Sequence, residues 1–226
     1  MTADAPILYS TLQAQIEEFK QQLGDQMPPE LLTSMLADIA TLVESSIVVR
    51  NLHLGERAPD FTLLDAEQRP VSLAAILRNG TAVVTFYRGD WCPMCNLQLR
   101  SYQRILQHIA AQGATLVAIS PQNIEWSFRT VADKQLTFPI LSDPDNQIAR
   151  QYGLVYKVSD TLRAIQRRTM FDPIGFSVDD SWELPLPGTF VIDRNQIVRL
   201  AFVDPDYTQR LEPARILSTL RGLTHS

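Results

Sequence analysis

Cys92 and Cys95 are the only thiols in this 226-residue chain, and two residues separate them in the stretch Trp91-Cys92-Pro93-Met94-Cys95. Such a pair can be a metal clip, two structural neighbours or a redox couple. The flanking sequence helps to choose. Residues 81–87, TAVVTFY, are a continuous apolar and β-branched run, which suits a strand buried on both faces. Residues 95–113, CNLQLRSYQRILQHIAAQG, then read as a helix, with Gly113 as its stop. The cysteines therefore fall at a strand-to-helix junction. The first turn of a helix offers backbone N–H groups without intrahelical partners and the positive end of the macrodipole. A thiol placed there ionises more readily, and the thiolate is the reactive species. Pro93 suits an early helix position, where its missing N–H removes no bond. A spacing of three along a helix puts both sulfurs on nearly the same side. One can then attack while the other resolves. Metal binding is the weaker reading. A zinc site needs three or four protein ligands, and the chain adds only His53, His108 and His225, with no second cysteine pair.

The elements that must carry the pair are legible in the hydrophobic pattern. Residues 55–59 mark a change of texture, after which short β-like runs alternate with helical stretches. Residues 60–77 predict a strand, a turn and a short helix. Residues 114–120, ATLVAIS, predict a second buried strand, followed by a helix at 123–135, a short strand in 137–143 and a helix ending at Gly153. Residues 188–203 predict a β-hairpin turning at Asp193-Arg194-Asn195, and 212–223 a closing helix. The expected class is α/β, with a central mixed sheet flanked by helices. Ahead of it, residues 9–48 read as two helices broken at Pro28-Pro29. Leu12, Ile16, Phe19 and Leu23 line the first, and Leu31, Leu32, Met35, Leu36, Ile39, Leu42 and Val43 line the second. The domain organisation expected is a helical extension, 1–52, before a main domain, 53–226. The extension either packs on its own domain or forms a homodimer. Residues 155–187 lack periodicity and are long for a connection; they are expected to be a surface insertion, with a lid as the alternative.

Composition narrows the function. A chain of this length, 45% apolar and 20% charged, buries a core without disulfide staples, so its two cysteines are not a secreted-protein framework. The formal net charge is −5 and no basic block stands out, so nothing argues for a nucleic-acid partner. The first twenty residues do not read as a secretory signal, and no apolar run approaches the ~18 residues of a membrane span. The expected compartment is the cytoplasm, where thiols stay reduced unless they cycle.

Five stretches occur in the order seen in peroxiredoxins: GERAPDFTLLDAEQRPVSL, VVTFYRGDWCPMCNLQL, LVAISPQ, FPILSDPDNQIARQYG and PGTFVIDRNQIVR. Over residues 53–220 the chain resembles the alkyl hydroperoxide reductase/thiol-specific antioxidant family of the thioredoxin superfamily. The resemblance implies a thioredoxin-like fold with no cofactor, and reduction of hydroperoxides through a cysteine sulfenic acid. A disulfide follows, which a thioredoxin-type dithiol reduces. The family pattern Pro-x-x-x-Thr/Ser-x-x-Cys places Cys95 at the attacking position, Cys92 on the Thr/Ser and Arg88 on the Pro. The thioredoxin pattern WCxxC instead makes Cys92 the attacker. Pro187 matches the cis-proline that faces the pair in thioredoxin-like proteins. Two departures stand out. Cys92 replaces a peroxide-orienting hydroxyl, and the arginine expected just before the TFVID strand is missing from Leu186-Pro187-Gly188.

Arg88 and Trp91 are the remaining candidates, the first as a cation beside the thiolate and the second as a pocket or docking wall. Asp90 is either a loop charge or a proton shuttle. Arg210, in the polar stretch DPDYTQR, has no role that the sequence reveals. The functions these readings support are a peroxidase, a thiol–disulfide oxidoreductase, and a redox sensor acting through the N-terminal helices.

Overall fold

The computed structural model describes residues 10–24, 27–45, 47–168 and 181–224. The two β-branched runs form the centre of its sheet. Thr81–Phe86 (β3) and Ala114–Ser120 (β4) lie in parallel, paired from Thr81 with Ala114 to Phe86 with Ile119. Ile140–Ser142 (β5) adds in parallel to β4, Thr62–Asp65 (β1) pairs antiparallel with β5, and Pro70–Ser72 (β2) pairs with β1. On the other flank Gly188–Ile192 (β8) runs antiparallel to β3, and Val198–Val203 (β9) returns along β8. The order is β2-β1-β5-β4-β3-β8-β9, so the mixed α/β sheet expected from the pattern is present. The β8–β9 turn forms where expected: the Asp193 carboxylate accepts from the N–H groups of Asn195 and Ile197 at 2.8 and 2.9 Å. A second, two-stranded sheet pairs Val155–Lys157 (β6) with Glu183–Pro185 (β7).

The helices are Leu12–Gly24 (α1), Pro29–Glu44 (α2), Leu73–Asn79 (α3), Pro93–Arg104 (α4), Leu106–Ala111 (α5), Ile124–Lys134 (α6), Gln147–Gln151 (α7), Asp160–Gln166 (α8) and Pro213–Thr224 (α9). The single helix expected over 95–113 is in fact two. Ile105, at φ −99° and ψ 3°, breaks it, and on either side of the break Tyr102 and Ile109 are fully buried in the same cluster. Among the described residues no helix is long and apolar enough to cross a membrane.

Strand alternation divides the core. Ala82, Val84 and Phe86 face α3 and α7, together with Tyr152 and Phe190. Val83 faces the other way, toward Cys95, Leu99 and Tyr102 of α4. Leu12 and Ile16 of α1 and Leu31 and Leu42 of α2 belong to this second cluster. The N-terminal helices thus pack on their own domain, on the face that holds the cysteines. The opposite side of α2 leaves Leu36 57% and Val43 53% exposed.

The described parts of 155–187 are not the surface insertion expected. Tyr156, Val158, Leu162, Trp182, Leu184 and Leu186 are buried in the cysteine-side cluster. The segment looked irregular because each element is too short to show a period. Residues 169–180 of that stretch lie outside the described residues.

Candidate active site

The pair is presented by the turn between β3 and α4. Gly89 has φ +145°, and a Cβ there would meet the Trp91 ring at 2.5 Å, so the turn requires glycine. The Cys92 N–H donates to the Gly89 carbonyl at 3.1 Å, and Cys92 becomes the N-cap residue of α4. Pro93 opens the helix and Cys95 lies in its first turn. The turn is pinned from outside. Asn96 Nδ2 donates to the Asp90 carbonyl at 2.7 Å, the Asp90 N–H donates to the Gln122 side chain, and the Asp90 carboxylate is ion-paired with Lys134 at the end of α6. Asp90 therefore holds the turn in place.

A buried polar network fixes α4 beneath the pair. Gln98 Nε2 donates to Thr85 Oγ1 at 3.1 Å, and the Thr85 and Thr189 hydroxyls are 2.9 Å apart. The Tyr102 hydroxyl lies 3.2 Å from Thr189 Oγ1 and donates to the Leu211 carbonyl at 3.0 Å. That last bond ties α4 to the loop after β9, and this loop carries Arg210.

Arg210 is 4% exposed, and its Nη2 donates to Cys95 Sγ at 3.5 Å. Its Nη1 donates to the carbonyls of Tyr207 and Gln209. Arg88 is also buried. Its guanidinium carbon sits 4.7 Å from the Trp91 ring centre and 4.2 Å from that of Tyr207, a cation–π sandwich. Arg88 Nε and Nη2 have no hydrogen-bond partner. Two guanidinium groups thus converge on two buried thiols, and the thiols respond in opposite directions. Burial alone pushes the Cys95 thiol up. A hydrogen bond from Cys92, the Arg210 charge, the Arg88 N–H and the Arg88 charge outweigh burial and bring it down to about 5. Cys92 is raised well above the ordinary thiol value by burial, by the hydrogen bond it gives to Cys95 and by the negative charge there. The arrangement favours the thiolate at Cys95 and the thiol at Cys92.

The sequence profile of the AhpC/TSA family matches residues 54–201, more than half of the chain. The chain belongs to the AhpC/TSA family. It is 29% identical over 171 residues to the chloroplastic peroxiredoxin Q of Sedum lineare, covering 75% of this chain and 78% of that protein. It is 39% identical over 100 residues to a Mycobacterium tuberculosis protein that carries the name peroxiredoxin, covering 44% of this chain and 62% of that one. The match therefore spans less than two thirds of that relative. Among solved structures, a M. tuberculosis peroxidoxin aligns with a TM-score of 0.59 at 22% identity, over 76% of this chain and 99% of its own. A peroxiredoxin-like protein from Aquifex aeolicus aligns with a TM-score of 0.61 at 14% identity, over 76% and 88%. These likenesses show the fold, and the thioredoxin-like expectation is met. The family's part of the chain begins after the helices α1 and α2.

Set against this family, one expectation is corrected and one gap is filled. Pro187 is trans, since the described residues contain no cis peptide bond. Both of its neighbours are held by backbone pairing, the Leu186 N–H by the Leu154 carbonyl at 2.8 Å and Gly188 by its place opposite Phe86, and a trans bond carries the chain between them from β7 to β8. The register still brings Pro187 to the end of β3 from which the turn with the cysteines leaves. The arginine missing before β8 has a counterpart in Arg210, which reaches Cys95 from the loop after β9. Sequence reasoning missed it because 115 residues separate the two in the chain. Among the described residues no cluster of three or more His, Cys, Asp or Glu side chains is placed to hold a metal ion.

Proposed function

We propose that the protein is a thiol peroxidase in which Cys95 attacks the hydroperoxide and Cys92 resolves. The observation that supports it is the buried Arg210 guanidinium, which donates to Cys95 Sγ at 3.5 Å in the first turn of α4 and, together with Arg88, favours the thiolate there. The Cys95 sulfur attacks the terminal oxygen of ROOH. An S–O bond forms, the O–O bond breaks, and the alkoxide leaves and takes a proton from water. Cys95 is now a sulfenic acid. The Arg88 N–H groups without partners are the donors available to the developing charge on the oxygens. Trp91 acts through Arg88, which it holds against Tyr207. The Cys92 thiol then condenses with the sulfenic acid, forming the Cys92–Cys95 disulfide and releasing water. A thioredoxin-type dithiol returns the pair to its starting state by giving up two electrons. The reducing cytoplasm suits such a cycle.

The test is single-turnover oxidation of Cys92→Ser and Cys95→Ser variants by hydrogen peroxide and an alkyl hydroperoxide, with dimedone trapping. Cys92→Ser should accumulate trapped sulfenate and Cys95→Ser should form none. Sulfenate no faster than that of free cysteine in either variant removes the peroxidase reading. One observation favours a second reading. Cys92, not Cys95, lines the small cavity at the surface of the site, as the attacking sulfur of a thiol–disulfide oxidoreductase would. Insulin reduction that is lost with Cys92→Ser distinguishes it. The homodimer reading rests on the apolar stripe Leu32, Leu36 and Val43, and sedimentation of a Leu36→Glu variant tests it.

A further inference from the structure

A protein dithiol cannot reach this pair as the chain is folded. Cys92 is 1% and Cys95 0% exposed. The cavity beside Cys92 measures about 20 Å³, room for a water molecule. The N-terminal helices supply part of its wall: Leu23 of α1, Met27 and Met35 of α2 line it together with Trp91, Cys92 and Pro93, and Gln166 of α8 lines it too. Thiol–disulfide exchange requires the incoming sulfur to approach along the S–S axis, and the sulfur that leaves best is the better thiolate. Cys95, stabilised by Arg210 and Arg88, is the better leaving group, so Cys92 is the sulfur to be attacked. Cys92 is also the one against the hairpin.

The moorings of the hairpin suit a cover that opens. The Glu212 carboxylate caps α1 by accepting from the N–H groups of Leu12 and Gln13 at 3.0 and 2.8 Å, and Gln13 Oε1 accepts from the Arg210 N–H at 3.3 Å. At the other end Asp38 of α2 accepts from the Ser159 N–H at 3.2 Å, while its second oxygen and the nearby Tyr156 hydroxyl are buried without partners. Each unpartnered group makes the closed state less stable than its apolar contacts alone would. The loop that caps α1 is also the loop that carries Arg210. When the Cys95 charge is consumed in a disulfide, the Arg210 side chain loses that partner and keeps the Tyr207 and Gln209 carbonyls.

We propose that the N-terminal hairpin is a displaceable cover, and that the face it vacates, Trp91-Cys92-Pro93, is the docking surface for the protein dithiol that reduces the Cys92–Cys95 disulfide. The inference rests on the redox role proposed for the pair. In the step itself, the donor thiolate attacks Cys92 Sγ, a mixed disulfide forms and Cys95 leaves as the thiolate. The second donor thiol then attacks the donor's own sulfur and releases Cys92, so the donor ends as a disulfide and two electrons have passed to the pair.

The experiment starts from full-length protein oxidised with diamide, so that a failure of the peroxidase reading leaves it intact. Reduction is followed with thioredoxin and with dithiothreitol, in the wild type and in Ile16→Ala, which truncates a buried side chain of α1. The thioredoxin rate should rise about tenfold in the variant, because a truncated core isoleucine shifts a local opening equilibrium by at least that much, and the dithiothreitol rate should rise less. A thioredoxin rate equal to that of the wild type overturns the proposal. A second measurement needs no altered hairpin. Wild-type protein is trapped as a mixed disulfide with a thioredoxin that lacks its second cysteine. The trapped sulfur should be Cys92, and the amides of α1 and α2 should lose hydrogen-exchange protection relative to the reduced protein. A bond to Cys95, or unchanged protection, overturns it.

Discussion

The two faces of the central sheet are built from the same strands and do opposite things. On the α3 and α7 face, Phe86 of β3 and Phe190 of β8 meet Tyr152, with ring centres 4.9 to 6.1 Å apart. The one polar tip in this group, the Tyr152 hydroxyl, is satisfied by the Pro59 carbonyl at 3.0 Å. On the α4 face the neighbouring residues of those strands, Thr85 and Thr189, begin a chain of buried polar groups that runs through Gln98 and Tyr102 to the Arg210 loop. Burying polar groups is unfavourable unless each finds a partner, and the low dielectric that makes it so also strengthens every charge held there. The aromatic face supplies stability. The polar face gives up some of it to bury two guanidinium groups beside two thiols.

That contrast can be broken from either side. The largest effect belongs to the sulfur. Cys95→Ser should abolish peroxide oxidation of the pair, read by dimedone trapping, with little change in the unfolding midpoint. Phe190→Ala on the opposite face should do the reverse. It should cost about 3–5 kcal/mol in urea unfolding, while the oxidation rate per folded molecule stays at the wild-type value. Catalysis that falls in step with stability there contradicts the division of labour.

Arg210→Met should lower the oxidation rate at neutral pH by on the order of 100-fold, the effect of removing one charge-stabilising donor from a buried site. The pH dependence gives the sign. In the wild type the Cys95 thiol, held down to about 5, should stay ionised above that pH. The rate is therefore flat above that value and falls roughly tenfold per unit below it as the sulfur protonates. In the variant the fall begins at higher pH, and thiolate absorbance at 240 nm should show the same upward movement. A midpoint that stays at about 5 assigns the stabilisation to Arg88 and the helix instead. The smallest effect is expected for Tyr102→Phe. It removes the hydroxyl that bonds the Leu211 carbonyl, at about 1 kcal/mol of stability and a few-fold loss of rate. The Cys95 pKa should rise slightly, because the loop that carries Arg210 is held less firmly.

Much of the fold was legible in the chain because buried strands announce themselves locally. The run 114–120 became β4 without adjustment, and 81–87 became β3 apart from its last residue. The placement of the pair at the start of α4 followed from the same reading, and Gly89 adds the reason the turn can form there. The break at Ile105 was not legible, since a helical period continues through it. The elements within 155–187 were hidden by their brevity.

What the sequence determined by itself is the chemistry on offer: two thiols three positions apart, at the mouth of a helix fed by a buried strand. Local spacing and backbone geometry are enough to bring those sulfurs to one side of a helix end. Which sulfur lies against a buried guanidinium was decided only in three dimensions. Arg210 reaches Cys95 from 115 positions away in the chain, and no local pattern encodes a contact at that separation. The tertiary structure also decided that α1 and α2 lie over the pair. Their apolar stripes showed that something must cover them, and only packing could show that the covering surface includes the active-site turn.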